Sequence, residues 1–142
     1  MEIITKTKEE TIKFGTKLAN SLKSGDILCL RGELGAGKTT LVKGLAVGLG
    51  IDEEILSPTF VLMNIHEITN SNKNIMQIAH IDTYRLKNEE ELSDIGAEDY
   101  LGAPNTICVI EWPEKIANLL NGKKVITVKI ERVESGRKIS FK

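Results

Sequence analysis

An α/β fold with a mostly parallel central sheet, antiparallel hairpin additions and flanking helices follows from three features of the 142-residue sequence. Ile27-Leu28-Cys29-Leu30 and Thr106-Ile107-Cys108-Val109-Ile110 are apolar without alternation, the mark of strands covered on both faces. Helical spacing of apolar residues stands on either side of the first run. Val125 to Arg132 alternates instead, and Glu134-Ser135-Gly136 turns it into Lys138 to Phe141, which predicts a closing hairpin.

The elements can be justified in order. Thr7-Lys8-Glu9-Glu10 has the capping-box pattern, and Ile12, Gly15, Ala19 and Leu22 recur at helical spacing with Leu18 beside them, so a helix is predicted over 8–23. Ser24-Gly25-Asp26 breaks it before the first apolar strand. Leu41 to Leu49 reads as a helix that Gly50 stops. Phe60 to Ile65 and Ile75 to Ile81 are strand-like and joined by the turn residues Thr69-Asn70-Ser71-Asn72-Lys73-Asn74. Glu89 to Ile95 is a short acidic helix, and Glu114 to Leu120 another that follows Pro113. No repeat, low-complexity tract or linker divides the chain, which predicts a single domain over 1–142.

Composition narrows the function. Nineteen Lys and Arg against twenty Asp and Glu give a net charge of -1, without the broad cationic field of a non-specific nucleic-acid or membrane-surface binder. No apolar run approaches the ~18 residues of a membrane span, and the first residues lack the order of a signal peptide, so a cytoplasmic protein with no membrane partner is expected. Cys29 and Cys108 lie in apolar runs without metal-like spacing and read as reduced core thiols. His66 is isolated and reads as a surface residue.

Gly32-Glu33-Leu34-Gly35-Ala36-Gly37-Lys38-Thr39 matches G-x-x-x-x-G-K-[ST], and it lies where that phosphate-binding P-loop requires, between an apolar strand and a helix. Its glycines let backbone N–H groups curl around phosphate oxygens, and the helix adds the positive end of its dipole. Lys38 reaches the β- and γ-phosphates in such a loop, and the Thr39 hydroxyl ligates the bridging magnesium. Thr40 reads as a helix residue. A second magnesium-side acid belongs at the end of another apolar strand, where Glu111 stands; a glutamate in place of the usual aspartate leaves open a direct or water-mediated reach, or a solvent-facing strand end.

Two further stretches are polar. Thr59, in Ser57-Pro58-Thr59, fits either a loop reporting the γ-phosphate or a proline-stiffened connection. In His80-Ile81-Asp82-Thr83-Tyr84-Arg85, alternation puts His80, Asp82 and Tyr84 on one face. Asp82 then orients or deprotonates an attacking water with His80 in support and Arg85 paired with phosphate or with a nearby acid, or the segment is simply an exposed strand end.

These blocks resemble one family: the small bacterial TsaE (YjeE) ATPases of tRNA threonylcarbamoyladenosine synthesis. The resemblance spans almost the whole chain and rests on Gly32 to Thr40, Ser57-Pro58-Thr59-Phe60, His80 to Arg85 and Val109-Ile110-Glu111-Trp112-Pro113-Glu114. It implies a magnesium-dependent ATPase, weak alone, that joins TsaB and TsaD and meets tRNA through that assembly. Carried over, Lys38 and Thr39 hold phosphate and magnesium with Thr40 in the same motif, Glu111 assists the metal, Asp82 activates water and Thr59 belongs to the switch-like loop. Arg137 resembles the family's late arginine near the nucleotide, and adenine contacts are implied near Thr7 to Glu10.

Rival functions share the phosphate loop. A small-molecule kinase would use the same residues, but no arginine-rich segment reads as a closing lid. A GTPase is disfavoured because Asn72-Lys73-Asn74-Ile75 lacks the acid of N-K-x-D, and Asp99-Tyr100-Leu101-Gly102 follows no apolar strand. A nucleotide-binding scaffold without hydrolysis is the third class.

Overall fold

Thr7 starts the first helix as its sequence pattern predicts: Glu10 N donates to Thr7 Oγ1 at 3.1 Å, and Thr7 N donates to Glu10 Oε2 at 3.2 Å. The computed structural model describes residues 1–51, 53–58, 61–68 and 74–141. Its elements are β1 (Glu2–Thr5), α1 (Lys8–Ser21), β2 (Ile27–Arg31), α2 (Lys38–Leu49), β3 (Met63–Glu67), β4 (Gln77–Asp82), α3 (Glu90–Asp94), β5 (Thr106–Glu111), α4 (Ala117–Leu120), β6 (Ile126–Val133) and β7 (Gly136–Phe141). Short 3-10 turns occupy Ala97–Tyr100 and Pro113–Ile116.

All seven strands form one sheet in the order β1-β7-β6-β2-β5-β4-β3. The middle four, β6-β2-β5-β4, run parallel. Antiparallel additions lie at both margins, β3 beside β4 at one and β7 and β1 beyond β6 at the other. The closing hairpin is β6–β7, as the alternation predicts.

Strand composition decides what covers each face. On one side α1, the Leu22 that follows it and α2 lay Leu18, Leu22, Leu41 and Leu45 over Leu28, Leu30, Ile107 and Val109. On the other, Leu86, Leu92, Leu101 and Ile116 from the short helices and loops cover Ile27, Cys29, Ala79, Ile81, Cys108 and Ile110. Burying such large side chains contributes roughly 1.5–3 kcal/mol each. The Thr16 hydroxyl donates to Gly44 O at 3.1 Å and ties α1 to α2.

The structure moves several boundaries. The strand expected at 60–65 is Met63–Glu67, and the one expected at 75–81 is Gln77–Asp82, because pairing with β5 runs from Gln77 opposite Thr106 to Asp82 opposite Glu111. Phe60 and the turn residues Thr69 to Lys73 lie outside the described residues. The helix expected at 114–120 is a 3-10 turn followed by one α-helical turn. β1 was not anticipated: four residues give almost no alternation, and β7 supplies its ladder. His66 is buried, not a surface residue, with Nδ1 2.5 Å from Glu53 Oε1. Cys29 and Cys108 are free and buried, and burial pushes their thiols up to about 11 and about 12.

Candidate functional site

The loop Gly32 to Gly37 leaves the end of β2 and delivers the chain into α2. Only glycine fits at its two ends. A Cβ on Gly32 would stand 2.6 Å from Ile130 O, and Gly37 caps α2 with φ +112°, in the left-handed region. Ala36 N donates to Glu33 O at 3.1 Å inside the loop. No acidic residue stands in the first turn of α2, so its unpaired N–H groups and dipole suit an anion.

A cleft of about 400 Å³ opens above this turn. Leu34, Gly35, Gly37, Lys38, Thr39 and Thr40 line it from the loop and helix, Asp82 and Glu111 from the strand ends, and Arg137 from β7. Six of the loop positions singled out by sequence therefore face the cleft. Gly32, Glu33 and Ala36 do not line it and serve as loop structure, Gly32 through its carbonyl.

Lys38 is 5% exposed, donates to Gly32 O, and holds its ammonium 3.8 Å from the Trp112 ring centroid. Burial pushes this ammonium below its ordinary value, while Glu111, then Asp82, Glu114 and Glu33, pull it back up. The lysine thus sits among acids that partly balance its charge.

Asp82 and Glu111 are register partners on adjacent parallel strands, which puts both carboxylates on one face at the same level. Each is only 3% exposed, so the reading of Glu111 as a solvent-facing strand end is overturned: the apolar run before it carries it inside the cleft wall. Asp82 Oδ1 accepts from Tyr84 N at 2.9 Å, and Oδ2 accepts from the Ser57 hydroxyl at 3.4 Å. His80 Nε2 lies 2.6 Å from Glu111 Oε2, so the histidine's partner is the other strand's acid.

Tyr84 does not continue the polar face. β4 ends at Asp82, and the Tyr84 ring packs on Trp112 with centroids 5.1 Å apart. Arg85 is exposed and does not line the cleft. Thr59 lies outside the described residues.

Arg137 reaches the phosphate loop, with Nη2 donating to Gly35 O at 3.4 Å. Sequence reasoning missed Arg132, whose Nη2 donates to the same carbonyl at 3.0 Å; only the register of β6 and β7, which sets Arg132 opposite Arg137, brings the two together. It also missed the ring of Trp112, which lies over Lys38 because the residue takes φ +61° directly after Glu111. At the N-terminal side, Thr5, Lys6, Thr7, Lys8 and Thr11 line the cleft, while the Glu10 carboxylate is spent on the helix cap.

The donor set fits magnesium. The Thr39 hydroxyl and the carboxylates of Asp82 and Glu111 are hard oxygen ligands on one cleft. Among the described residues no three His, Cys, Asp or Glu converge on a metal site. Among them, too, no helix is long and apolar enough to cross a membrane.

The chain is similar to known proteins in sequence and fold. The profile of the family described as threonylcarbamoyl adenosine biosynthesis protein TsaE matches residues 5–139. The chain is 36% identical over 138 residues to the tRNA threonylcarbamoyladenosine biosynthesis protein TsaE of Treponema pallidum, covering 97% of this chain and 96% of that one. Against the TsaE of Bacillus subtilis it is 36% identical over 137 residues, covering 96% and 82%. The crystal structure of Bacillus subtilis YdiB superposes with a TM-score of 0.78 at 30% identity, over 99% of this chain and 83% of that one.

Proposed function

Because this chain belongs to the TsaE family of threonylcarbamoyl adenosine biosynthesis proteins, we propose that it binds and slowly hydrolyses magnesium-ATP as an accessory of tRNA threonylcarbamoyladenosine synthesis, in an assembly with TsaB and TsaD homologues. One observation carries the reading: a phosphate loop that opens α2 faces two buried carboxylates, Asp82 and Glu111, across a single cleft. tRNA then meets the assembly, and work of this kind places the protein in the cytoplasm.

The chain's own residues divide the labour. The loop amides and the N-terminus of α2 receive phosphate oxygens, and Lys38 exchanges its bond to Gly32 O for the β- and γ-phosphates. Arg137, already at the loop, adds positive charge. Bound magnesium would neutralise phosphate charge, and Thr39 and Glu111 are the residues that would hold it. Asp82, with one oxygen fixed by Tyr84 N, orients or deprotonates water. Thr59 reports the γ-phosphate.

The test is phosphate release by the purified chain, alone and with TsaB and TsaD. Asp82→Asn is expected to retain ATP affinity and to lose ~10²–10⁴-fold in turnover. A wild-type rate in Asp82→Asn contradicts its role, and transfer of the γ-phosphate to a small acceptor in place of water would make the chain a kinase.

A further inference from the structure

His80 and Glu111 form a contact almost wholly out of water, with their side chains 0% and 4% exposed and Nε2 2.6 Å from Oε2. The pair is made by the sheet: His80 stands opposite Val109 and Asp82 opposite Glu111, so histidine and glutamate meet on a diagonal of one face. His80 Nδ1 is also buried and, among the described residues, meets neither donor nor acceptor. The ring therefore meets its surroundings through Nε2 alone, and that one contact is with the Glu111 carboxylate.

A glutamate at this strand end has one more rotatable bond than the aspartate usual in phosphate-loop proteins, and a free carboxylate would surrender rotamer entropy on meeting an ion. Tying one oxygen to His80 removes that freedom beforehand. We propose, resting on the nucleotide reading above, that His80 is a positioning residue for magnesium: it holds Glu111 by Oε2 in one orientation, leaving the second carboxylate oxygen for the metal-nucleotide complex. It acts through Glu111 and touches neither ion nor phosphate. Such outer partners of a ligand commonly set metal affinity by ~10–100-fold.

The experiment is an equilibrium titration with a non-hydrolysable ATP analogue, with and without magnesium at fixed pH; the readout is the ratio of the two affinities, independent of turnover. Wild type and Glu111→Gln calibrate it, and Glu111→Gln is expected to collapse the ratio. His80→Leu should shrink the ratio by about tenfold while leaving the magnesium-free affinity unchanged. His80→Gln, with an N–H at similar reach, should recover most of it, and His80→Asn, polar but shorter, should not. In a Glu111→Gln background His80→Leu should add nothing. Should His80→Leu fail to fold, His80→Gln against His80→Asn carries the test alone. A wild-type ratio in both His80→Leu and His80→Asn, or equal losses with and without magnesium, overturns the proposal while the nucleotide reading stands. An unchanged ratio in Glu111→Gln overturns the metal role of Glu111 and this proposal with it.

Discussion

β4 and β5 carry two chemistries on their two faces, although the residues of both faces are almost equally removed from water. Toward α2 they show Ile78, Ile107 and Val109 and then, at the last positions, His80, Asp82 and Glu111; on the opposite face, past the Gln77–Thr106 pair at its start, Ala79, Ile81, Cys108 and Ile110 are apolar to the strand ends. Strand periodicity alone makes the separation, since neighbours in sequence point to opposite sides. The two acids of the polar face have partners, His80 on Glu111 and Tyr84 N and Ser57 on Asp82, so burying them does not leave the carboxylates unpartnered. The same burial therefore serves packing on one side and chemistry on the other.

The largest expected effect comes from the apolar face. Ile110→Ala removes a fully buried side chain and should cost ~2–5 kcal/mol, seen as a fall in melting temperature of roughly 5–20 °C for a domain of this size. Magnesium dependence of nucleotide binding should not move. Glu111→Gln, one residue away on the other face, should show the reverse: a stability change of about 1–3 kcal/mol at most, with magnesium dependence largely lost. If Ile110→Ala disturbs the magnesium response as strongly as Glu111→Gln does, the two faces are not separable.

A smaller effect sharpens the comparison from the phosphate side. Burial holds the Lys38 ammonium below its ordinary value, so the folded chain sheds that proton before the unfolded chain does. In the window just below 10.5 the unfolded state binds more protons, and this group's contribution to stability rises with pH. Lys38→Met, free of a desolvated charge, should melt no lower than wild type without nucleotide and should lose that rise. A marked fall in its melting temperature at neutral pH would mean that the Gly32 and Trp112 contacts outweigh the cost of burying the charge.

Much of this was legible in sequence, and the limits have physical causes. The phosphate loop and Glu111 were legible as local signals, a spacing and an acid ending an apolar run, whereas Asp82 stood out by strand alternation and the family resemblance. The parallel core was legible from Ile27 to Leu30 and Thr106 to Ile110, apolar on both faces. What escaped depends on register: the meeting of His80 with Glu111, 31 residues apart, and of Arg132 with Gly35, 97 apart, exists only once strands are aligned. β1 escaped because its order is borrowed from β7, and the burial of His66 because Glu53 covers it from another segment. The Trp112 ring lies over Lys38 through a left-handed backbone that a non-glycine residue seldom adopts and that no pattern announces.

The claim at the centre of this account is that the cleft above α2 is a magnesium-ATP site organised by Lys38 and the buried acids. The most direct test is calorimetric titration of the full chain with a non-hydrolysable ATP analogue in magnesium, beside the Lys38→Met protein. Wild type should bind one equivalent saturably, and at a hundredfold excess over its dissociation constant the ligand should stabilise the fold by about 2.7 kcal/mol. Lys38→Met should lose most of that binding while remaining folded. Absence of binding in wild type, or undiminished binding in a folded Lys38→Met protein, would contradict the account.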